Sequence, residues 1–536
     1  MSGARLAAAL AAAWTAAGAD PKIASVFPMS GRAGSEFDVT VRGTGLDAAR
    51  AVMFDGTGVV GRVIESKPEE ARVRVTVEPG VAYDARGFRI VTSWGVTNRA
   101  EIRVTDSRTA SEDEPVASLP ALINGVLSLP GETDSYWIGV AAGETIGIEA
   151  ISGLASFDPA VSVWAPSASW FDKTRLERIA VNDEPLYFPG LDTAARLTHR
   201  FDKAGKYCVR VSGFQGQGGP GYVYQLRIAR GALTPPKLHP VNEPEWPERS
   251  FVRRVGPEWM AAAARRGLQK PPKAVESYKA ALEGAADVPV IDETGMVEGR
   301  IGASDEAHEI RLKIAETRDL AIEVETPGAT LPRFNPVVRV MQPDGHEVVT
   351  NVYTKRNNNG LYMMKMIQAK TVVTLRSVGE YRIQIRDITS DRHAPDFAYR
   401  VLIRPRIPHI GSAALVEDRV NLEPGQSKPL TVNVDREEGF KGFVAISVEG
   451  LPPGITAVAG LENPVERPPL PNAGRRERYY PVPQTATVML IASPDAPPGE
   501  LPSRARVIAR PVVDGRVGEA VLNKEVPVMV VARRPS

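Results

Sequence analysis

The chain has 536 residues, with 65 lysines and arginines against 64 aspartates and glutamates. Globular domains usually span roughly 100 to 200 residues, so the length predicts about three to five domains. The balanced charge provides no field of one sign that would collect a phosphate backbone, so nucleic acid is excluded as the expected partner. The 47 glycines and 45 prolines, set between valine-rich alternating segments, are typical of short strands joined by tight turns and predict an all-β fold.

Residues 1–19 have the pattern of a signal peptide. Arg5 supplies a positive charge, Leu6 to Ala16 is apolar, and Ala17-Gly18-Ala19 offers small residues at a cleavage site before Asp20. A short helix or membrane anchor is the alternative, which is disfavoured because the apolar run is far below the roughly 20 residues that a bilayer requires. We therefore predict a secreted, periplasmic or cell-surface protein with no membrane span. The single cysteine, Cys208, leaves no disulfide framework.

Residues 20–106 predict a first module of half-buried antiparallel strands, because apolar residues alternate with period two. The alternating positions are Phe37, Val39 and Val41, then Val73, Val75 and Val77, then Phe88 and Ile90, then Ile102 and Val104. Turn segments separate them, among them Gly43-Thr44-Gly45 and Ser93-Trp94-Gly95. The pattern resembles the TIG (transcription-factor-like immunoglobulin, or IPT) domain, and this resemblance implies an Ig-like sandwich.

Residues 116–231 predict a second module with landmarks of another family. The landmarks include Ile123-Asn124-Gly125, Asp134-Ser135-Tyr136, Phe157-Asp158-Pro159, Val181-Asn182-Asp183 and Ala204-Gly205-Lys206-Tyr207. The module resembles the bacterial pre-peptidase C-terminal domain, and the resemblance implies a jelly-roll-like β-sandwich of an exported bacterial protein.

Residues 288–406 repeat the landmarks of the second module in the same order. Gly299, Phe334-Asn335-Pro336, Gly379-Glu380-Tyr381 and Phe397-Ala398-Tyr399 stand where the second module has Gly125, Phe157-Asp158-Pro159, Gly205-Lys206-Tyr207 and Tyr222-Val223-Tyr224. Order and similar spacing together predict two copies of one fold. The later copy is divergent, because it lacks the Asn-Asp segment of the earlier one.

The remaining segments predict a helical linker and a terminal module. Within residues 240–287, Pro257 to Gly267 and Lys273 to Gly284 are alanine-rich with proline at the start and glycine at the end, which favours a small helical hairpin. Residues 413–532 again alternate and resemble an Ig-like or fibronectin-like domain. The predicted architecture is therefore a tandem of β-sandwich modules (Ig-like, two jelly-roll-like, Ig-like) with a small helical insert.

Two tryptophans of the second module are candidate binding residues. In Tyr136-Trp137-Ile138-Gly139-Val140 the apolar set takes the core, so alternation sends Trp137 to the opposite face, and Trp164 behaves likewise after Val161 and Val163. Packing against a neighbouring module is the favoured interpretation. The alternative is a platform on which sugar rings or apolar side chains of a protein stack, joined by Trp170 and Phe171.

Asn182, Asp183 and Asp192 are candidate calcium ligands, because they supply hard oxygen atoms on an expected loop. Such residues also cap their own backbone in ordinary turns, and the turn is the favoured interpretation. No other cofactor or metal is predicted.

Local catalytic signals are missing from the sequence. The six histidines are scattered without a metal-binding pair, and no nucleophile elbow occurs. The G-x-G-x-x-G at Gly56, Gly58 and Gly61 continues into a strand and predicts a hairpin turn. We therefore predict a non-catalytic exported binding or scaffold protein that contacts an extracellular polysaccharide or protein. The alternative, from the second resemblance, is an accessory protein to, or an inactive relative of, a secreted hydrolase.

Overall fold

A computed structural model describes residues 20–106, 109–153, 157–167, 175–182, 194–232, 279–281, 288, 290–303, 306–325, 336–356, 363–367, 370–388, 397–459 and 483–533. Within these ranges the chain consists of β-strands and connecting turns, apart from one 3-10 turn at Phe214–Gly216. The all-β prediction is confirmed. The predicted signal peptide lies outside the described residues, and no described helix is long and apolar enough to cross a bilayer.

The first module is a sandwich of two sheets. Its strands are β1 (Lys22–Phe27), β2 (Ser30–Arg32), β3 (Glu36–Thr44), β4 (Ala49–Phe54), β5 (Val59–Lys67), β6 (Glu70–Val77), β7 (Ala85–Thr92), β8 (Gly95–Val96) and β9 (Ala100–Thr105). One sheet has the order β1-β3-β6-β5, and the other has β2-β9-β7-β4 with β8 beside β7. The predicted alternating positions fill the core between them.

The G-x-G-x-x-G segment is a turn, as predicted, but it is not a hairpin within one sheet. Gly56 and Gly58 have φ of 77° and 84°, a left-handed backbone that favours glycine. They lie between β4 and β5, which belong to different sheets. The turn therefore carries the chain from one layer of the sandwich to the other.

The second module is also a two-layer sandwich. Its strands are β10 (Thr109–Ser111), β11 (Ala121–Val126), β12 (Thr133–Val140), β13 (Thr145–Ser152), β14 (Pro159–Pro166), β15 (Leu176–Asn182), β16 (Ala195–Arg200), β17 (Gly205–Gly213) and β18 (Val223–Arg230). The sheets have the orders β10-β11-β18-β13-β16 and β12-β17-β14-β15.

The third module repeats this topology. Its strands are β19 (Lys279–Ala281), β20 (Val290–Asp292), β21 (Gly295–Arg300), β22 (His308–Ile314), β23 (Arg318–Glu325), β24 (Pro336–Met341), β25 (Glu347–Thr350), β26 (Val352–Arg356), β27 (Met363–Ile367), β28 (Lys370–Leu375), β29 (Gly379–Asp387) and β30 (Ala398–Pro405). The orders β19-β21-β30-β23-β28 and β20-β22-β29-β24-β25 match those of the second module strand for strand, with β20 added at one edge and the hairpin β26-β27 apart. The two central modules therefore share one strand order, as the repeated landmarks predict.

One repeated landmark is a glycine that lies opposite a tyrosine, and close packing explains why this residue is a glycine. Gly125 pairs with Tyr224 across β11 and β18, and Gly299 pairs with Tyr399 across β21 and β30. A Cβ on Gly125 would lie 2.3 Å from the Tyr224 ring, and one on Gly299 would lie 2.5 Å from the Tyr399 hydroxyl. Each tyrosine is buried over its glycine, so the glycine has to lack a side chain.

Part of the predicted helical hairpin is wrong. Residues 279–281, inside the segment predicted as the second helix, form the strand β19, which pairs in parallel with β21. Pairing with a sheet edge overrides the helix propensity of an alanine-rich segment, because that propensity amounts to only a few tenths of a kcal/mol per residue. The other predicted helix, Pro257 to Gly267, lies outside the described residues.

The fourth module is a sandwich whose strands include the longest among the described residues. They are β31 (His409–Leu415), β32 (Val420–Leu422), β33 (Ser427–Glu437), β34 (Phe443–Glu449), β35 (Ile455–Ala459), β36 (Pro483–Ala492), β37 (Ser503–Val513), β38 (Arg516–Val517) and β39 (Leu522–Val530). The sheet orders are β31-β33-β36-β35 and β32-β39-β37-β34, with β38 beside β37.

The first module contacts both the second and the fourth. Against the second, Asn124 accepts a hydrogen bond from the Met29 backbone N–H at 3.1 Å. Against the fourth, the Asn421 side chain accepts from the Val96 N–H at 2.9 Å and donates to the Val96 carbonyl at 3.0 Å. A small apolar cluster surrounds this second contact and consists of Val91, Val96, Met529 and Val531. The first and last modules are thereby joined directly.

We expect Asn421→Ala to weaken the contact between the first and fourth modules. Asn421 is 1% exposed, so its loss leaves the Val96 N–H and carbonyl without a partner, at a cost of about 1–3 kcal/mol. Hydrogen exchange of the Val96 amide should accelerate while exchange in β33 stays unchanged. Asn523→Ala, on the exposed side of β39, is the matched control. Unchanged protection of Val96 in Asn421→Ala would contradict the assignment.

Candidate functional site

The outward side of the sheet β12-β17-β14-β15 is the candidate site. Along β12 the side chains of Tyr136, Ile138 and Val140 are buried, whereas Trp137 between them is 47% exposed. Successive side chains along a strand point to opposite sides of the sheet, and here the three side chains on one side are all buried in the core. The predicted direction of Trp137 is therefore the one observed.

Strand pairing places Trp137 and Trp164 in one row across this sheet. Trp137 lies opposite Cys208, Cys208 lies opposite Trp164, and Trp164 lies opposite Arg178. The next row contains Ser135, Arg210, Ser162 and Val181. Adjacent strands are about 4.8 Å apart, so the backbones of the two tryptophans are separated by about 10 Å. We call these two rows the tryptophan face.

Trp164 is held in a fixed orientation. Its Nε1–H donates to Ser162 Oγ at 2.8 Å, and the Arg210 guanidinium carbon lies 4.6 Å from its ring centroid. A cation stacked on an indole is attracted by the electron-rich ring. Trp164 is consequently a rigid, half-buried surface beside the more open Trp137.

Cys208 lies between the two tryptophans and is fully buried, although its position faces outward. Because Tyr207, Val209 and Val211 share the inward side of this segment, alternation sends Cys208 to the opposite side, and the sequence predicts a half-buried residue there. Its cross-strand neighbours on both sides are the large indoles of Trp137 and Trp164, and side chains of that size cover a small residue between them. Cys208 thus fills the floor of the tryptophan face.

The other predicted site residues give less information. Trp170, Phe171, Asp183 and Asp192 lie outside the described residues. Asn182 lies at the end of β15, and its amide Nδ2 donates to the Arg196 carbonyl at 2.5 Å. This contact joins two strand ends, which is a structural use of the side chain. The calcium site stays a prediction.

A buried charged cluster at the junction of the third and fourth modules was not predicted. Arg404 is fully buried and contacts Glu323 of its own module, and its Nη1 donates to Glu438 Oε2 of the next module at 2.9 Å. Lys370 contacts Glu437 and lies 2.9 Å from Glu438 Oε1. His409 Nε2 lies 3.3 Å from Glu437 Oε2.

The surroundings shift two pKa values in this cluster in opposite directions. Burial raises the pKa of Glu323. Burial would also raise the pKa of Glu438, but hydrogen bonds from Arg404 and the charge of Lys370 outweigh it and lower that pKa to about 2. Glu438 is therefore held as a carboxylate by two cations.

His409, Glu437 and Glu438 bring three potential metal ligands together. The Lys370 ammonium already contacts both carboxylates, so it takes the place that a cation would occupy between them. A divalent ion would have to displace a buried ammonium, which the cluster does not favour. We interpret the cluster as a connection between modules rather than a metal centre.

The third module has an open cleft, the kind of place where an active site would lie if this module were a hydrolase. Its lining includes Asp292, Glu293, Lys313 and Glu380. Glu293 is paired with Arg318 at 3.0 Å, and Glu380 lies 3.6 Å from Arg311. No serine, cysteine or histidine is among the described lining residues. Two of the lining carboxylates are therefore paired with arginines, and the described lining offers no serine–histidine or cysteine–histidine pair.

Comparison with known proteins assigns no family. No family model and no curated protein matches the chain. Aligned structures include tripeptidyl peptidase 2 (9% identity, 96% of this chain, 39% of that chain, TM-score 0.14). They also include SGBP-B of the Bacteroides ovatus mixed-linkage glucan utilization locus, in complex with a mixed-linkage heptasaccharide (12% identity, 40% of this chain, 53% of that chain, TM-score 0.15). A third is the surface layer protein SbsC, domains 1–6 (12%, 99%, 57%, TM-score 0.15). This chain thus spans 57% or less of the length of each of them, and at TM-scores this low none of them bears on its role.

Proposed function

We propose that this chain is an exported bacterial binding or scaffold protein without catalytic activity, and that its second module binds a polysaccharide on the tryptophan face. The observation that carries the proposal is Trp137, an indole that is 47% exposed on a regular strand beside the fixed Trp164. Large apolar rings gain free energy by leaving water, and an indole can stack on the apolar side of a sugar ring.

The rest of the chain supports a scaffold role. The signal-peptide pattern of residues 1–19 supports export, and the resemblances to TIG and pre-peptidase C-terminal modules support an extracellular or periplasmic setting. Contacts of the first module with the second and the fourth hold the binding surface on a larger body. The proposed site thus lies on a rigid sheet rather than on a loop, which favours preorganised binding.

Removing the indoles tests the proposal. The probes are dextran, galactomannan, alginate and polygalacturonate, measured by isothermal titration and affinity gels with the mature chain. We expect the chain to bind at least one of them and Trp137→Ala with Trp164→Ala to weaken that binding on the order of 30-fold, as losses of central aromatic residues do. The melting temperature of Trp137→Ala should stay nearly unchanged, since surface substitutions alter stability by about 0.5 kcal/mol or less.

Tyr83→Ala is the matched control, because Tyr83 is an aromatic residue of the first module that is 64% exposed. It should bind as the unsubstituted chain does. Two results would overturn the proposal. One is that none of the four polysaccharides binds. The other is that Trp137→Ala lowers the melting temperature strongly, because the indole would then pack within the chain.

A further inference from the structure

The cations on the tryptophan face, and Lys206 one row beyond it on the same side of the sheet, have no acidic partner among the described residues. Arg210 is stacked on Trp164, and its Nε is buried without a hydrogen-bond partner there. Lys206, two residues before Cys208 on β17, is exposed, as is Arg178 opposite Trp164. The described outward positions of the four strands carry no aspartate or glutamate. Some arginines on other sheet faces are paired, as Arg74 is with Asp38 at 2.7 Å.

On the corresponding surface of the third module, two glutamates pair with arginines. Strand pairing places Glu380 at the position of Lys206 and Glu347 at the position of Arg178. Glu380 lies 3.6 Å from Arg311, and Glu347 accepts a hydrogen bond from Arg339 at 2.7 Å.

The aromatic residues differ between the copies as well. Arg311 stands at the place of Trp137, Met341 at the place of Trp164, and Gln384 at the place of Arg210. The second module therefore combines two indoles with three cations and, among the described residues, no carboxylate, whereas its copy has no indole at these places and pairs two of its arginines with glutamates, although Lys313 and Arg382 add further cations there. The chain as a whole has a net charge of only +1, so this local excess does not follow from composition.

We infer that the ligand of the tryptophan face is an acidic polysaccharide whose sugars carry carboxylates. This inference rests on the proposed function and names its substrate class. Three cations surround the indole row, with Lys206 and Arg210 about 13 Å apart along β17. A polyuronate presents apolar ring faces to Trp137 and Trp164 and carboxylates to the cations beside them. Guanidinium groups fit carboxylates because two parallel N–H donors meet two oxygens.

The third module supplies the test variant, because it shows which residues this topology accepts at the three positions. The combined substitution Lys206→Glu, Arg178→Glu and Arg210→Gln places the residues of the third module on the second. The control is Arg62→Glu, Arg516→Glu and Arg510→Gln, which makes the same change of net charge at exposed cations of the first and fourth modules. Dextran and galactomannan serve as neutral probes, polygalacturonate and alginate as carboxylated probes, and dextran sulfate and polyglutamate as other polyanions.

We expect the unsubstituted chain to bind polygalacturonate or alginate on the order of tenfold more tightly than dextran or galactomannan, since three partly exposed ion pairs each contribute modestly. Added salt should reduce this preference. The triple variant should lose it while keeping its melting temperature, and the control should retain it.

Each contrary result has its own meaning. Equal binding of neutral and carboxylated polysaccharides, still sensitive to the Trp137→Ala change, would overturn the inference and leave the proposed function standing. Dextran sulfate or polyglutamate binding as tightly as polygalacturonate would overturn the choice of a carboxylated polysaccharide. Failure of every polysaccharide to bind would overturn the proposed function and the inference together.

Discussion

Arg404→Met is expected to destabilise the third and fourth modules by about 3–5 kcal/mol, because it leaves buried carboxylates without their main partner. The guanidinium contacts Glu323 and Glu438, and its Nη1 also donates to the Pro405 carbonyl at 2.9 Å. Methionine fills a similar volume but offers no donor. Differential scanning calorimetry of the mature chain should show the transition of these modules at a lower temperature, with that of the second module unchanged.

Two further variants separate the charge effect from lost packing. Arg400→Met removes a pair on the same strand, with Glu298 at 2.8 Å, whose arginine is 34% exposed, and it should cost about 1 kcal/mol or less. Adding Glu323→Leu and Glu438→Met to Arg404→Met should restore most of the lost stability, because apolar residues often replace buried ion pairs without loss. If the variant with all three substitutions were no more stable than Arg404→Met, unpaired buried carboxylates would not be the cause of the lost stability.

Gly125→Ala is expected to cost about 2–3 kcal/mol, since its Cβ would lie 2.3 Å from the ring of Tyr224. The ring cannot move away easily. Tyr224 is fully buried, and its hydroxyl lies 2.5 Å from the Tyr136 hydroxyl and donates to Asp134 at 2.5 Å. Urea unfolding followed by exchange of the β18 amides would measure the loss.

The same substitution at Gly139 is the control. Gly139 lies on the outward side of the same module, and no atom comes within 4 Å of a Cβ built there. Gly139→Ala should change stability by about 0.5 kcal/mol or less. Equal effects of the two substitutions would show that Tyr224 yields to a methyl group and that close packing does not explain the repeated glycine.

Local alternation predicted the features that depend on single strands. It gave the inward direction of Tyr136 and the outward directions of Trp137 and Cys208, because side chains along a strand alternate whatever its neighbours are. Repeated landmarks predicted the shared strand order of the two central modules, since Gly125 and Gly299 serve the same packing need against Tyr224 and Tyr399. Each of these signals can be recognised within a short stretch of sequence, without knowledge of which strands pair.

Features that join distant residues were not predictable in this way. The buried cluster brings Glu323, Lys370, Arg404 and His409 together from four separate strands, with Glu438 directly after β33, and no spacing in the sequence relates them. Whether Lys206 and Arg178 have a carboxylate partner likewise depends on their neighbours across the sheet, which the sequence does not identify. Residues 279–281 were assigned to a helix because propensity is local, whereas their partner β21 is not.

The direct contact of the first and fourth modules makes their association independent of protein concentration. Arg89 pairs with Asp418 at 2.9 Å and Lys428 with Asp20 at 3.2 Å, beside the small apolar cluster around Val96. Two separate proteins would scarcely be held by so few contacts. Within one chain the partners meet at an effective concentration that the connecting chain sets and the protein concentration does not, so a weak surface suffices. Dilution, which separates the subunits of an oligomer, should leave these modules joined.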